Sequence, residues 1–427
     1  MKQELREIFD HVLGEVDAVE AMRGPMLQNA YQNSPTERLL VIAFGKAARR
    51  MAGALLRALP DAQIRGLVVP PELDAAPLPP LEVIPGGHPL PTAGSLEAGR
   101  RALELARSVQ ANEHLVFLVS GGGSAMLEAP ADDRVTLDEL RTLNQALVGS
   151  GAGIDEINTV RRHVSALKGG RLAMAGAAAR FQRTMLISDV APDTDPASIA
   201  SGPTVPDRTT LVDCRRVLDQ YTLWQALPAC LRQRIDDDDL PLPMRDDHEL
   251  ENRSEYCLLL GEGSARRAAT AAAERHGWIV DQDCDVDDWP YEEAAEHLLR
   301  RLKDLHQAHP KETVAIVTTG ELSVTLPASP GIGGRNQQFL LHCATLIQDQ
   351  PIYVMSCGTD GIDGNSPAAG ALVDGTTVAR AAQLGLSADH YLATCNAYTL
   401  LSAIGDCVKS GPTGTNVRDL RVLVYEA

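Results

Sequence analysis

Residues 38–59 read "RLLVIAFGKAARRMAGALLRAL". The unbroken apolar run from Leu39 to Phe44 has the length of a strand buried on both faces. Gly45 and Lys46 end it, and an amphipathic helical pattern follows. Strand, turn and helix form the repeating unit of a parallel α/β sheet. The same order returns in "EHLVFLVSGGGSAMLEAP" (113–130) and in "YCLLLGEGSARRAATAAAERHG" (256–277). "FQRTMLISDVAPDTDPASIASGPTVP" (181–206) is a strand followed by a long polar loop. "ETVAIVTTGELSVTL" (312–326), "PIYVMSCGTDGIDGNSPAAGALVD" (351–374) and "DLRVLVYEA" (419–427) supply further strands. In such sheets the loops after the strand C-termini carry the site.

A chain of 427 residues exceeds one ordinary core, so two domains are expected. "LPACLRQRIDDDDLPLPMRDDHELENRSEY" (227–256) is acidic, proline-bearing and weakly apolar, and reads as an exposed connection. The expected domains are 1–240 and 250–427, with residues 1–36 open to packing on the second. The fold class is α/β, with two Rossmann-like domains and mostly parallel sheets.

Net charge is −18, from 39 basic and 57 acidic residues, and aromatics are 4%. An acidic, aromatic-poor chain is a poor match for a phosphate backbone or stacked bases, so no nucleic-acid partner is expected. No apolar run nears the roughly 18 residues a membrane span needs. Residues 1–22 lack the apolar stretch of a signal peptide, and the eight cysteines form no CxxC pair. A cytoplasmic location with reduced thiols is the expectation; the sequence does not fix the oligomeric state, for which a homodimer is the candidate.

The common nucleotide motifs are incomplete. Gly45-Lys46 is followed by Ala47, and Leu40 stands where a P-loop has its first glycine. "GGGSAM" has Met126, and "GIGGRN" has Asn336, in place of the third glycine of a dinucleotide fingerprint. Other groups stand at strand ends. Gly121, Gly122, Gly123 and Ser124 offer backbone N–H groups to an anion, though a tight packing turn has the same composition. Lys46 offers a compact point charge, and a lysine at a helix start is otherwise ordinary surface. "GIGGRNQQ" (331–338) sets Arg335 behind Gly333 and Gly334; glycines and a guanidinium together suit phosphate or carboxylate oxygens. "EINTVRRHVSALKGGRLA" (156–173) would place Arg161, Ser165 and Lys168 on one helix face, either as a solvated basic face or as a ligand contact. Asp189 and Asp193 follow a strand, where carboxylates hold Mg²⁺ together with substrate phosphates, accept a hydroxyl proton, or cap a helix. Asp360 and Asp363 lie among glycines, and Thr413, Thr415 and Asn416 lie in a polar loop. His88 stands alone in a proline turn. No Ser-His-Asp order or GxSxG elbow occurs.

Taken in order, "AFGKAARRM", "GGHPLPTAGS", "SGGGSA", "NTVRRHVSALKGGRLA", "SDVAPDTDPASIASGPT", "GIGGRNQQ", "GTDGIDGNSPAAGA" and "SGPTGTNVRDL" resemble the glycerate 2-kinase family, which carries a MOFRL-type C-terminal domain. The resemblance runs from about residue 5 to 425. It implies phosphoryl transfer from ATP, with Mg²⁺, to the 2-hydroxyl of D-glycerate, between two α/β domains facing across a cleft. The family's active-site lysine and arginine match Lys46 and Arg335. The expected roles follow. Lys46, Arg335 and Asp189 are catalytic. Gly121, Gly122, Gly123, Ser124, Lys168, Gly333, Gly334, Asp360, Thr413 and Asn416 contact substrate or nucleotide. Asp189 and Asp193 hold the metal. Two departures stand out: "TTGELSVTL" has a single glycine before Glu321, and "APDTDP" replaces the family's Gly-Asp-Asp type of loop. Some family members carry the label hydroxypyruvate reductase, so an NAD(P)H-dependent reductase is the alternative, and a metabolite-binding protein without turnover is a third reading.

Overall fold

A computed structural model describes residues 1–23, 38–71, 76–190, 196–246 and 250–427. The chain forms two compact units. The N-terminal unit comprises the described residues of Ala21–Ser188 and Asp193–Leu259. The C-terminal unit comprises Met1–Glu20 and Leu260–Ala427, with a short segment that starts at Asp189.

The sheet of the first unit holds β1 (Arg38–Phe44), β2 (Gln63–Val69), β3 (Glu82–Val83), β4 (Glu113–Ser120), β5 (Phe181–Ile187) and β6 (Ser254–Leu260), in the order β3-β2-β1-β4-β5-β6. β1 to β5 pair in parallel. Leu39 through Phe44 are fully buried, which is why the run lacks alternation: helices cover both faces. The order reverses between β1 and β4, the switch point beside which doubly wound sheets carry their sites, at the C-terminal ends of the strands.

The stretch read as an exposed connection belongs to the first unit and is packed in part, while its acid run Asp236–Asp239 is exposed. Its helix Ala229–Asp236 buries Leu231 and Ile235 against Val160, Val217 and Leu218 of neighbouring helices, and Leu240 and Met244 are buried as well. A few apolar residues at helical spacing outweighed the acidic composition.

The second sheet holds β7 (Ile279–Asp283), β8 (Val314–Thr319), β9 (Ile352–Gly358), β10 (Gly370–Asp374), β11 (Cys407–Val408) and β12 (Asp419–Tyr425), in the order β11-β10-β9-β12-β8-β7. The α/β class holds here, but the strand directions correct the expectation of a mostly parallel sheet. Only β7 and β8 pair in parallel; the other four junctions are antiparallel. β8 and β9 run the same way, joined through the helix Arg335–Leu346, but β12 lies between them and runs opposite. β10 follows β9 without a crossover helix, and such a direct return is antiparallel.

This inversion brings three loops together. The C-terminal ends of β8 and β9 and the start of β12 lie at one edge of the sheet, with Thr319 opposite Leu420 and Gly358 opposite Asp419. The helix Lys2–Glu15 packs on the helix Glu262–Arg275, burying Leu5, Ile8, Phe9 and Val12. Lys2 Nζ lies 2.9 Å from both Asp374 and Asp406.

Candidate functional site

At the switch point of the first sheet the loops after β1 and β4 touch. Lys46 N donates to Gly121 O at 2.9 Å, and Ala47 N to Ser120 Oγ at 2.9 Å. The approach requires glycine at 45, where φ is +111° and a Cβ would lie 2.3 Å from Ser120 O. Among the described residues the Lys46 ammonium has no hydrogen-bond or ion-pair partner, and the N–H groups of Gly122, Gly123 and Ser124 have none either. A cation and three open donors beside one another are the kind of groups that suit an anion. Behind it, Ser124 Oγ pairs with Ser201 Oγ at 2.9 Å, and Ser201 Oγ donates to Asn158 Oδ1 at 2.9 Å. His88 stands beside Gly122 with its surface exposed; desolvation first, and then the Lys46 charge, push its imidazole down to about 4, so it is neutral at pH 7.

Lys168 does not join this group. The helix Ile154–His163 stops before Ser165, so the expected face of Arg161, Ser165 and Lys168 does not form. Lys168 is fully buried and paired with Glu128, whose Oε1 also accepts from Ser165 Oγ at 3.0 Å. Its ammonium is neutralised inside the protein, with no surface to offer a ligand. Arg162 is likewise buried on Asp207 at 2.9 Å, and Arg171 donates to the Arg162 and Lys168 carbonyls. The basic stretch braces the unit rather than facing water. Asp189 lies two residues past β5 and is half-buried. Asp193 lies outside the described residues. Among the described residues no three Asp, Glu, His or Cys side chains come together to hold a metal ion.

The C-terminal unit carries a cavity of about 500 Å³ between the loops that follow β8 and β9. Arg335 lines it, together with Gly333, Gly334 and Asp360. Arg335 Nε donates to Asp419 Oδ2 at 2.5 Å, Nη2 to Asp419 Oδ1 at 3.3 Å and Nη1 to Glu321 Oε2 at 2.7 Å. Three of the five donors of a guanidinium are thus engaged, and the side chain is 34% exposed. Burial disfavours the Arg335 charge, but Asp419 and Glu321 more than offset it and its pKa rises. Burial raises Glu321 against the pull of Arg335. Behind this group Arg421, fully buried, donates to Gly320 O at 3.1 Å, and Arg418 joins Glu262 at 2.8 Å to Asp287 at 2.6 Å.

The glycine loop before Arg335 holds mainly its own protein. Gly331 N donates to Thr394 O, Ile332 N to Asn396 Oδ1 and Gly333 N to Asn365 Oδ1. Asp363 takes the helix N-terminus, accepting from Asn336 N at 3.1 Å and Gln337 N at 2.8 Å. Gly334 must be glycine, because a Cβ there would stand 2.3 Å from Asp363 Oδ1. Only the N–H groups of Gly334 and Arg335 have no partner among the described residues. Thr413 and Asn416 brace the loops: Thr413 Oγ1 donates to Thr359 O at 2.7 Å, and Asn416 Oδ1 accepts from Arg418 N at 2.9 Å.

Burial, and then the Asp419 charge, push the Asp363 carboxyl from 3.8 up to about 7, against the N–H groups that favour its anion. Between those values the folded protein keeps a proton that the unfolded chain has lost. The contribution of Asp363 to stability is therefore full below about pH 4 and declines as pH rises toward 7. Asp363→Asn should flatten that part of the curve of thermal midpoint against pH. Equal slopes in the two proteins would mean that Asp363 is ionised throughout.

Glu321 was visible in the sequence only as a departure from a glycine motif, and Asp419 was not singled out. The available signal was Asp419 and Arg421 alternating in an otherwise apolar strand, an arrangement tolerated only where buried charges are paired.

The family model described as a domain of unknown function (DUF4147) matches residues 4–236, and that of the MOFRL family matches residues 314–419. The D-glycerate 2-kinase of Thermotoga maritima is 34% identical over 388 residues, covering 90% of each chain. The chain belongs to the glycerate 2-kinase family. The glycerate 2-kinase of Pyrococcus horikoshii is 33% identical, covering 91% of this chain and 87% of its own. The crystal structure of glycerate kinase from Thermotoga maritima superposes on this glycerate 2-kinase family member with a TM-score of 0.88 at 31% identity, covering 100% of this chain and 99% of the other. A relative in Agrobacterium vitis, named only provisionally as a hydroxypyruvate reductase, is 36% identical over 99% of this chain and 94% of its own.

Proposed function

We propose that the chain is a glycerate 2-kinase, transferring the γ-phosphoryl group of ATP to the 2-hydroxyl of D-glycerate to give 2-phosphoglycerate and ADP. The observation that carries this reading is Arg335, fixed by Asp419 and Glu321 at a cavity, in a chain related over nine-tenths of its length to D-glycerate 2-kinases. Phosphoryl transfer asks a protein mainly for positioning and charge stabilisation. Lys46 and the N–H groups of Gly122, Gly123 and Ser124 offer charge and donors to phosphate oxygens. Arg335, with its remaining N–H pair, binds the transferring phosphoryl group or the glycerate carboxylate in bidentate fashion. Asp189 is the acceptor assigned to the hydroxyl proton. A divalent cation that enters with ATP would shield its phosphates. No complete dinucleotide fingerprint supports the reductase reading.

Phosphorus NMR of the protein with Mg²⁺, ATP and D-glycerate tests the reading. A 2-phosphoglycerate resonance is expected. A 3-phosphoglycerate resonance would keep the reaction class and move the accepting hydroxyl. Intact ATP, with NADH consumed on hydroxypyruvate, would replace the kinase reading by the reductase.

A further inference from the structure

The cavity of the C-terminal unit is poorly matched to a three-carbon hydroxy acid. One wall is aliphatic, formed by Leu322, Val324, Leu326, Pro330 and Ile362. Leu326 is 63% exposed and Ile362 44%, so apolar surface stands open at the rim. Uncovered aliphatic surface around a concave site marks a place where apolar ligand surface is buried. Glycerate carries hydroxyls and a carboxylate and has almost no such surface. A nucleotide base has two flat apolar faces, and a volume of about 500 Å³ is in the range that takes a ligand of that size.

One polar group in the cavity is set to read such a base. Gln338 lines the cavity and is 3% exposed. Its Nε2 donates to Leu392 O at 2.9 Å and lies 3.4 Å from Tyr291 Oη. A backbone carbonyl only accepts, so the amide orientation is fixed and Oε1 is the atom that remains. Oε1 has no partner among the described residues. It is an open acceptor in a cavity that sets the aliphatic wall beside the polar groups Arg335, Asp360, Asp363 and Asn365. Adenine places a donor, its exocyclic amine, where guanine places an acceptor.

We propose that this cavity is the nucleotide-base site and that Gln338 Oε1 selects adenine by accepting from its exocyclic amine. The proposal rests on the kinase reading for the choice of a nucleotide as ligand. It assigns the base to the C-terminal unit and makes Gln338 a specificity-determining residue.

The test is titration calorimetry on the full chain without D-glycerate, so that binding is read apart from turnover. The ligands are ATP and the triphosphate of purine riboside, which lacks only the exocyclic amine. The parent protein should bind the second roughly tenfold more weakly, the weight of one hydrogen bond that leaves a buried acceptor unpaired. Gln338→Met should weaken ATP and erase the difference between the two ligands, an effect that general loosening of the fold would not produce. Equal binding of the two ligands by the parent, or an undiminished preference in Gln338→Met, overturns the proposal. A second variant, Leu326→Trp, fills the cavity from an exposed position. It should raise KM for ATP about tenfold and leave KM for D-glycerate in place; the reverse pattern would assign the cavity to the acid. The two readings fail separately. Phosphoryl transfer without amine discrimination sinks the base site alone, and ATP binding with discrimination but no transfer sinks the kinase alone.

Discussion

Arg335→Lys should lower kcat/KM for phosphoryl transfer by roughly 10²- to 10³-fold, the usual range for losing a preorganised donor to developing charge. The substitution keeps the charge and loses the fork. In the parent, Nε and Nη2 sit on Asp419 and Nη1 on Glu321, which leaves two N–H groups in a fixed direction. A lysine ammonium is a single point on a flexible stem. It can stay on Asp419 or reach a ligand, but it cannot span two carboxylates and still present a donor pair. The fall should lie mostly in kcat if Arg335 acts on the transferring group, and mostly in the KM for D-glycerate if it holds that carboxylate. Steady-state kinetics beside a thermal-unfolding control would read this. A variant within threefold of the parent in kcat/KM would end the assigned role.

The largest effect on stability is expected from Lys168→Met, a loss of about 3–5 kcal/mol. The Glu128 carboxylate is buried and paired with Lys168. Ala129 N and Ser165 Oγ also donate to it, each at 3.0 Å. Two neutral donors do not replace a counter-ion in a buried setting. Adding Glu128→Gln to Lys168→Met should recover most of the loss, because the pair is then gone as a whole. Urea-unfolding midpoints of the three proteins measure it. A single variant as stable as the parent would mean that the pair is not the brace described here, and would reopen Lys168 to a ligand role.

The two halves of the chain differed in how much their sequences disclosed, and the difference is physical. β1 was legible because a strand covered on both faces must be apolar throughout, and Gly45 and Lys46 marked its end. That Lys46 and Gly121 both follow strand C-termini was legible too, while their contact depended on the strand order. The second sheet was not legible in the same way. Strand direction depends on which strand enters between β8 and β9, and the run "DLRVLV" carries no mark of direction. The partners of Arg335 lie 14 and 84 positions away in sequence. Lys168 was misread because its counter-ion is 40 residues upstream, alone in "MLEAP". The glycine loop at 331–334 was read as a set of backbone donors for phosphate or carboxylate oxygens. What composition hid was that Thr394, Asn396 and Asn365 had already occupied most of them.

The position of β12 has a bearing on synthesis at the ribosome. This strand lies in the middle of its sheet, yet it is formed by residues 419–425, and the same unit also takes in the helix Lys2–Glu15. Translation delivers the two segments about 400 residues apart. Until the later one leaves the exit tunnel, β8 and β9 have no strand between them, and Arg335 lacks Asp419. The nascent C-terminal unit must therefore wait with two unpaired strand edges. Such edges are the features that chaperones shield and that pair wrongly when crowded. The first sheet's strands β1 to β5, contiguous within residues 38–187, face no such delay.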